Sequence, residues 1–257
     1  MTAQNAESKM TYLDLQAYAG VTKHMGGFEA TNELLSLCHI KNAQRVLDVG
    51  CGIGVGPAYI AKMYGCRVVG VDILEKMIEW SRQRAKQEGV EDRVELRTAD
   101  VLDLPFEADR FDVVICESVL AFIEEKARAI CELVRVVKPD GYVGLNEALW
   151  IEEPPPKRAE QALEWGTNIL TSEAWQALWE GSGLQDRKVR TYQINARTEV
   201  KSRIRWIGWS WILKAWYRVL SLYLRDPAAR QFIKEQLGST PREMFGYLGY
   251  GLFVGRK

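Results

Sequence analysis

The sequence predicts an α/β protein built on a mostly parallel sheet with helices on both faces. Three observations lead there. From Arg45 to Trp150, five short runs rich in β-branched residues alternate with helical stretches. The first run closes in a cluster of glycines, as a strand does when it turns sharply into a helix beside a ligand. After Pro154-Pro155-Pro156 the alternation gives way to a helical excursion, and the chain ends on one more strand-like run, YLGYGLFVGRK.

Residues 1–10 are polar and read as a disordered lead, without the apolar centre of a signal peptide. Tyr12 to Ala19 and Glu29 to Cys38 read as short helices around GVTKHMGG, a loop by its glycines. The first strand is RVLDVGC (45–51), followed by a helix from Pro57 to Tyr64. RVVGVDI (67–73) is the second strand, followed by an amphipathic helix from Leu74 to Glu88. RVELRTAD (93–100) alternates as the third. FDVVICES (111–118) is the fourth, with a helix from Glu124 to Val137 after it. Pro139, Asp140 and Gly141 turn the chain into the fifth, YVGLNEALW (142–150). Residues 159–182 read as one helix with Trp165, Trp175 and Trp179, LQDRKVRTYQI (184–194) as a strand, and 199–237 as helical. A strand after that excursion places the excursion between the last two strands of the same sheet.

With 257 residues the chain holds one large domain, or one domain with an insertion. Its 47% hydrophobic and 26% charged composition excludes a largely disordered chain. Lys+Arg 34 balances Asp+Glu 34, so there is no net field to attract nucleic acid. The balance hides an asymmetry. From Asp186 onward there are 15 Lys/Arg against 5 Asp/Glu, leaving 19 against 29 in the body. The five cysteines (Cys38, Cys51, Cys66, Cys116, Cys131) form no C-x-x-C pair, so no metal or iron–sulfur site is expected. Their odd number and apolar surroundings suit a reducing, cytoplasmic setting. No stretch of about 18 apolar residues is long enough to span a membrane.

The first strand ends in D-V-G-C-G-I-G-V-G, with Asp48, Gly50, Gly52, Gly54 and Gly56. A dinucleotide turn has the spacing G-x-G-x-x-G, and its third glycine position is Val55 here. The acid at the strand end would repel a pyrophosphate and attract an amino group or a sulfonium. Asp72 ends the second strand, where an acid accepts the two hydroxyls of a ribose. Asp100 ends the third, within reach of an exocyclic amine. Three strand-end acids along one sheet edge describe a site for an adenosine that carries an amino-acid tail.

VLDVGCGIGVG, VVGVDI, ADVLDLPFEADRFDVVICESVL and ELVRVVKPDGYVGLNE resemble, in order and spacing, the successive motifs of class I S-adenosylmethionine-dependent methyltransferases. The likeness is greatest to the branch acting on quinones, sterols and amines, and it covers residues 20–150. It implies a Rossmann-like, seven-stranded sheet whose last strand is antiparallel, with S-adenosylmethionine as cofactor. It implies that Asp48 with Gly50, Gly52 and Gly54 holds the methionine end. Asp72 with Ile73 would hold the ribose, Asp100 with Val101 the adenine, and Glu117 would touch the cofactor. On this reading residues 1–40 are an N-terminal helical lid, 41–198 the core, 199–243 a helical cap insertion, and 244–257 the terminal strand.

Methyl transfer from a sulfonium is an in-line displacement with an activated leaving group, so positioning dominates and a general base is optional. The fourth strand ends in C-E-S-V rather than the Asn/Asp-Pro-Pro-Tyr of enzymes that methylate nucleobases, so a nucleic-acid acceptor is not expected. Relatives often carry histidine a few residues later; here those positions are Ala121 and Phe122. His24, Glu117 and Glu147 remain as candidate catalytic residues, each with a structural alternative: a satisfied loop histidine, or an acid accepting backbone hydrogen bonds.

Trp206, Trp209, Leu213, Trp216, Leu220 and Tyr223 recur at helical steps. This face packs on the domain, walls an apolar acceptor pocket through Trp206 and Trp209, or lies at a membrane surface, where the basic excess attracts anionic lipid. The expected partner is a small or lipid-like molecule. A protein or RNA acceptor, or a non-catalytic S-adenosylmethionine-binding role, is the alternative. Oligomeric state is not legible.

Overall fold

The computed structural model describes residues 10–22, 24–42, 44–164, 166–194, 196–239 and 244–257. The polar lead therefore lies almost wholly outside the described residues, as do Trp165 and the end of the expected cap.

Seven strands form the sheet: β1 (Arg45–Val49), β2 (Arg67–Asp72), β3 (Val94–Thr98), β4 (Phe111–Glu117), β5 (Val137–Trp150), β7 (Gln185–Gln193) and β8 (Leu248–Arg256). Their order is β3-β2-β1-β4-β5-β8-β7, and a two-residue strand, β6 (Leu170–Thr171), pairs with β5 off this path. The first five are parallel, and β8 runs antiparallel to both neighbours. The expected seven-stranded sheet with an antiparallel last strand is present. Central strands are buried on both sides, which explains continuous runs such as VVIC in place of alternation. The order reverses between β1 and β4, the switch point where open sheets leave a crevice at their carboxyl edge.

One face is covered by α2 (Gly27–Leu37), α3 (Val55–Tyr64) and α4 (Glu75–Glu88), through Leu34, Leu35, Ile60 and Ala85. On the other lie α5 (Lys126–Val136) and α7 (Ser172–Glu180), through Leu133, Trp175 and Trp179 against Phe253. The expected Pro139–Gly141 turn is instead absorbed into β5. Val137 pairs with Phe111 and Tyr142 with Val113, so the intervening residues bulge out.

The single helix expected over 159–182 is two, α6 (Pro156–Glu164) and α7. Gly166 takes a left-handed φ of 76°, and Thr171 restarts the helix by accepting the Ala174 amide. The long helical stretch is three: α8 (Ala196–Ile207), α9 (Trp209–Arg225) and α10 (Pro227–Ser239). Gly208 (φ 94°) breaks the first junction. Proline breaks the second, with Asp226 capping α10 through the Ala228 and Ala229 amides. These breaks undo the single apolar face. Trp206 is buried on α8, and Trp211 at 7% exposure is the buried tryptophan of α9. Trp209 and Trp216 are 60% and 66% exposed, in a row with Leu213, Tyr217, Leu220 and Leu224.

α1 (Tyr12–Ala19) starts with a reciprocal cap, Thr11 accepting the Asp14 amide while Asp14 accepts that of Thr11. It is tied down by side chains rather than by its own apolar face. Trp80 Nε1 donates to Ala17 O at 2.9 Å, Arg218 to Ala19 O at 2.6 Å, and Trp211 Nε1 to Gly20 O at 2.6 Å. Glu199 and Ser202 on α8 accept the amides of Gly26 and Phe28. The excursion thus holds the N-terminal segment against the core.

Candidate active site

The crevice at the switch point is a cavity of about 350 Å³. Its floor is the glycine turn after β1. Gly50, Gly52 and Gly54 all take left-handed φ, from 54° to 76°. Gly52 also needs its missing side chain for space: a Cβ there would meet Thr22 Oγ1 at 2.7 Å. The segment after α1 therefore crosses directly over the turn. Gly50 and Gly52 line the cavity, whereas Gly54 packs against Ser81 and caps α3, away from it.

Asp48 does not face the cavity either. It is buried under the start of α3, where a Cβ on Gly56 would lie 2.5 Å from its Oδ2. Burial, then Glu117 and Asp72, push its carboxyl well above the usual range. Its place is beneath the turn, supporting it, and it is not among the residues that line the cavity. The same holds for Gly54.

Asp72 and Asp100 stand on the cavity wall with Ile73 and Val101 beside them. Asp72 accepts the Gly52 amide on one oxygen and the Leu74 amide on the other, both at 3.0 Å. Burial raises its pKa and these amides pull it down; the net shift is upward. Each oxygen keeps a lone pair for a hydroxyl donor. Asp100 accepts the Leu102 amide at 2.9 Å. This is a cradle that fits an adenosine: two hydroxyl acceptors at the end of β2 and an amine acceptor after β3. Among the described residues no group of three or more His, Cys, Asp and Glu is placed to hold a metal.

Glu117 closes β4 and also lines the cavity. Side chains from three separate elements fix it. Thr31 Oγ1 reaches both carboxylate oxygens at 3.0 and 2.9 Å, Asn146 Nδ2 donates at 3.0 Å, and His24 Nδ1 lies 3.3 Å away. Burial alone would raise its pKa, but His24, Asn146 and Thr31 outweigh that and hold it below the usual carboxylate range. His24 itself is behind Glu117 rather than on the cavity wall, its ring 5.6 Å from that of Trp206. Its Nε2 is buried and, among the described residues, has no hydrogen-bond partner.

Glu147 is not at the cavity. It is fully buried and accepts the amides of Val119, Leu120 and Ala121 at 3.0, 2.8 and 3.3 Å. Burial raises its pKa to about 7 despite those donors. Through these amides Glu147 pins the turn after β4. That turn leaves the strand through Ser118, a non-glycine residue at φ 57°, and brings Val119, Ala121 and Phe122 to the cavity.

Trp206 and Trp209 are likewise absent from the cavity wall. Further lining comes from Tyr12 and Leu13 of α1, from Met25, and from Phe122, Ile123, Ile169 and Leu248. Sequence reasoning missed these residues because they come from five separate stretches with no shared motif. Trp206 reaches the site only indirectly, packing on His24, Phe28 and Tyr59.

Residues 47–145 match the model of a methyltransferase domain. Phosphoethanolamine N-methyltransferase 1 of Arabidopsis thaliana is 29% identical over 162 residues, 63% of this chain and 33% of that protein. The matched stretch spans from about a quarter to two thirds of the length of the curated relatives. Among solved structures, the [4+2]-cyclase SpnF superposes with a TM-score of 0.73 at 18% identity, covering 95% of this chain and 92% of that one. Phosphoethanolamine N-methyltransferase 2 of Haemonchus contortus, in complex with S-adenosyl-L-methionine, gives 0.71 at 19%, covering 98% and 58%. At these identities the structural matches carry the fold.

Proposed function

We propose that this chain, whose residues 47–145 match a methyltransferase domain, is a class I methyltransferase that uses S-adenosylmethionine and transfers the methyl group to a small, largely apolar molecule. One observation carries the reading. A single cavity joins an end lined by Asp72, Asp100, Gly50 and Gly52 to an end lined by Phe122, Ile123, Ile169 and Leu248. The cofactor supplies an activated methyl on a sulfonium. In this reading the ribose hydroxyls bond to Asp72, the adenine amine to Asp100, and Ile73 and Val101 sandwich the ring. Thr22 and Met25 close over the turn. The apolar far end excludes water and holds the acceptor in line, the contribution that matters most when the leaving group is already activated. A cavity of this size suits a small molecule better than a protein or RNA segment.

Contact with an anionic membrane surface belongs to the same proposal as a secondary feature. Its support is the exposed row on α9, bordered by the exposed Lys214 and Arg225. Among the described residues no helix is long and apolar enough to cross a membrane.

The test is to incubate the protein with methyl-labelled S-adenosylmethionine and separate small-metabolite, lipid, protein and RNA fractions. The reading expects label in the small-metabolite or lipid fraction. Label confined to protein or RNA would overturn it.

A further inference from the structure

The cavity is acidic, in contrast to the basic C-terminal quarter of the chain. Its charged lining among the described residues is Asp72, Asp100 and Glu117, and no Lys, Arg or His lines it. Asp72 and Asp100 sit at the end that fits the adenosine. Glu117 is left over. It stands where β4 ends, next to Ser118 and the turn that carries Phe122. A buried carboxylate facing an apolar space is costly unless it is fixed and hydrogen-bonded. Here Thr31, Asn146 and His24 do that from the side away from the cavity.

We propose that the acceptor is an amine carrying an apolar group, and that Glu117 selects it over acceptors bearing a phosphate or a carboxylate. This rests on the methyl-transfer reading of the same cavity. A phosphate would enter beside the Glu117 carboxylate with no cation among the described lining residues to meet it, and like charges in a water-poor site disfavour binding. The relatives named for phosphoethanolamine would differ from this chain on that point. An amine gains from the same arrangement. Once the bound ammonium has given its proton to water, its nitrogen lone pair forms the new N–C bond while the electron pair of the breaking S–C bond stays on sulfur, which leaves as a neutral thioether. Positive charge thus moves from sulfur to nitrogen, next to a fixed anion that favours it. A tertiary amine keeps the charge as a quaternary ammonium; an amine with an N–H loses its proton to water. Glu117 is held ionised by its donors and so serves as a charge partner rather than as a base.

The experiment uses three probes on one phenylalkyl skeleton, ending in a dimethylamine, an alcohol or a phosphate monoester. Each is titrated calorimetrically into the intact protein saturated with S-adenosylhomocysteine, over several chain lengths. Saturation by that product tests the cofactor reading independently. The wild type should bind the amine at least about tenfold more tightly than the alcohol, the gain of one charge-assisted contact, and the phosphate ester weakest. Glu117→Gln should bring the amine-to-alcohol ratio close to one. That ratio is read within one variant, so altered cofactor affinity does not disturb it; if the variant does not fold, the wild-type ranking decides alone. Phosphate binding equal to the amine, failure of every amine to bind, or a Glu117→Gln protein that keeps the preference would each overturn the proposal.

Discussion

Trp211 donates its indole N–H to the carbonyl of Gly20 at 2.6 Å, tying α9 to the residue where α1 ends. Two residues later Thr22 lies over Gly52 and the glycine turn. The helical excursion therefore acts on the cavity through the segment it restrains and not by lining it. Replacing Trp211 with Phe keeps the ring beside Trp80 and Arg84 but leaves the Gly20 carbonyl unpaired. The expected loss is ~1–3 kcal/mol of stability, read by denaturant unfolding. S-adenosylhomocysteine affinity should fall severalfold with it. Unchanged affinity in a destabilised variant would separate the segment from the site.

Gly52→Ala tests the turn itself. Alanine at a left-handed φ costs about 1–2 kcal/mol, and its Cβ would press on Thr22. Weaker product binding is expected by calorimetry. A second change, Thr22→Ala, should recover part of that loss by relieving the contact, though not the backbone term. Full recovery would mean the backbone conformation is immaterial.

Much of this was legible in the sequence. The strands from Arg45 to Trp150 and the antiparallel end could be read because a doubly buried strand is a short β-branched run. Asp72 and Asp100 could be read because strand-end acids on one sheet edge must converge. Asp48 and Glu147 show the limit. Both lie near the carboxyl ends of parallel strands, yet one lies under the turn and the other faces three backbone amides, because the neighbouring chain decides which way the acid is satisfied. Trp209 shows another. Helical spacing alone gave it a core face, and Gly208 turned it outward.

Glu147 should leave a pH signature on stability. Its folded pKa, about 7, is above the ordinary carboxylate value, so the folded state holds its proton more tightly than the unfolded one. Its contribution is full below the unfolded pKa, near 4.3, and is lost as pH rises through about 7, up to roughly 3–4 kcal/mol. Unfolding of wild type and Glu147→Gln across pH 4–8 should therefore show the gap between them narrowing or reversing in favour of the variant as pH rises. Parallel curves would remove Glu147 as the titrating group.

The exposed row on α9 gives a fourth expectation. Sedimentation with vesicles containing anionic lipid should retain the wild type at low salt, and Trp209→Ser with Trp216→Ser should release it, because interfacial binding scales with buried apolar area. Equal retention of both proteins would leave that row without a lipid role. Methyl transfer in solution should be unaffected, since neither tryptophan lines the cavity.

The most direct test of the central claim is calorimetric titration of wild type and Asp72→Ala with S-adenosylhomocysteine, with a nicotinamide dinucleotide as comparator. Asp72 offers both oxygens to the cavity while holding the Gly52 and Leu74 amides, so the variant should lose some stability as well as affinity. The wild type should bind one equivalent of S-adenosylhomocysteine, tighter than the dinucleotide. A folded Asp72→Ala protein should bind at least about tenfold more weakly, since each charge-assisted bond to a hydroxyl is worth roughly 1.5–3 kcal/mol. Tighter binding of the dinucleotide, or full affinity in the folded variant, would contradict the account.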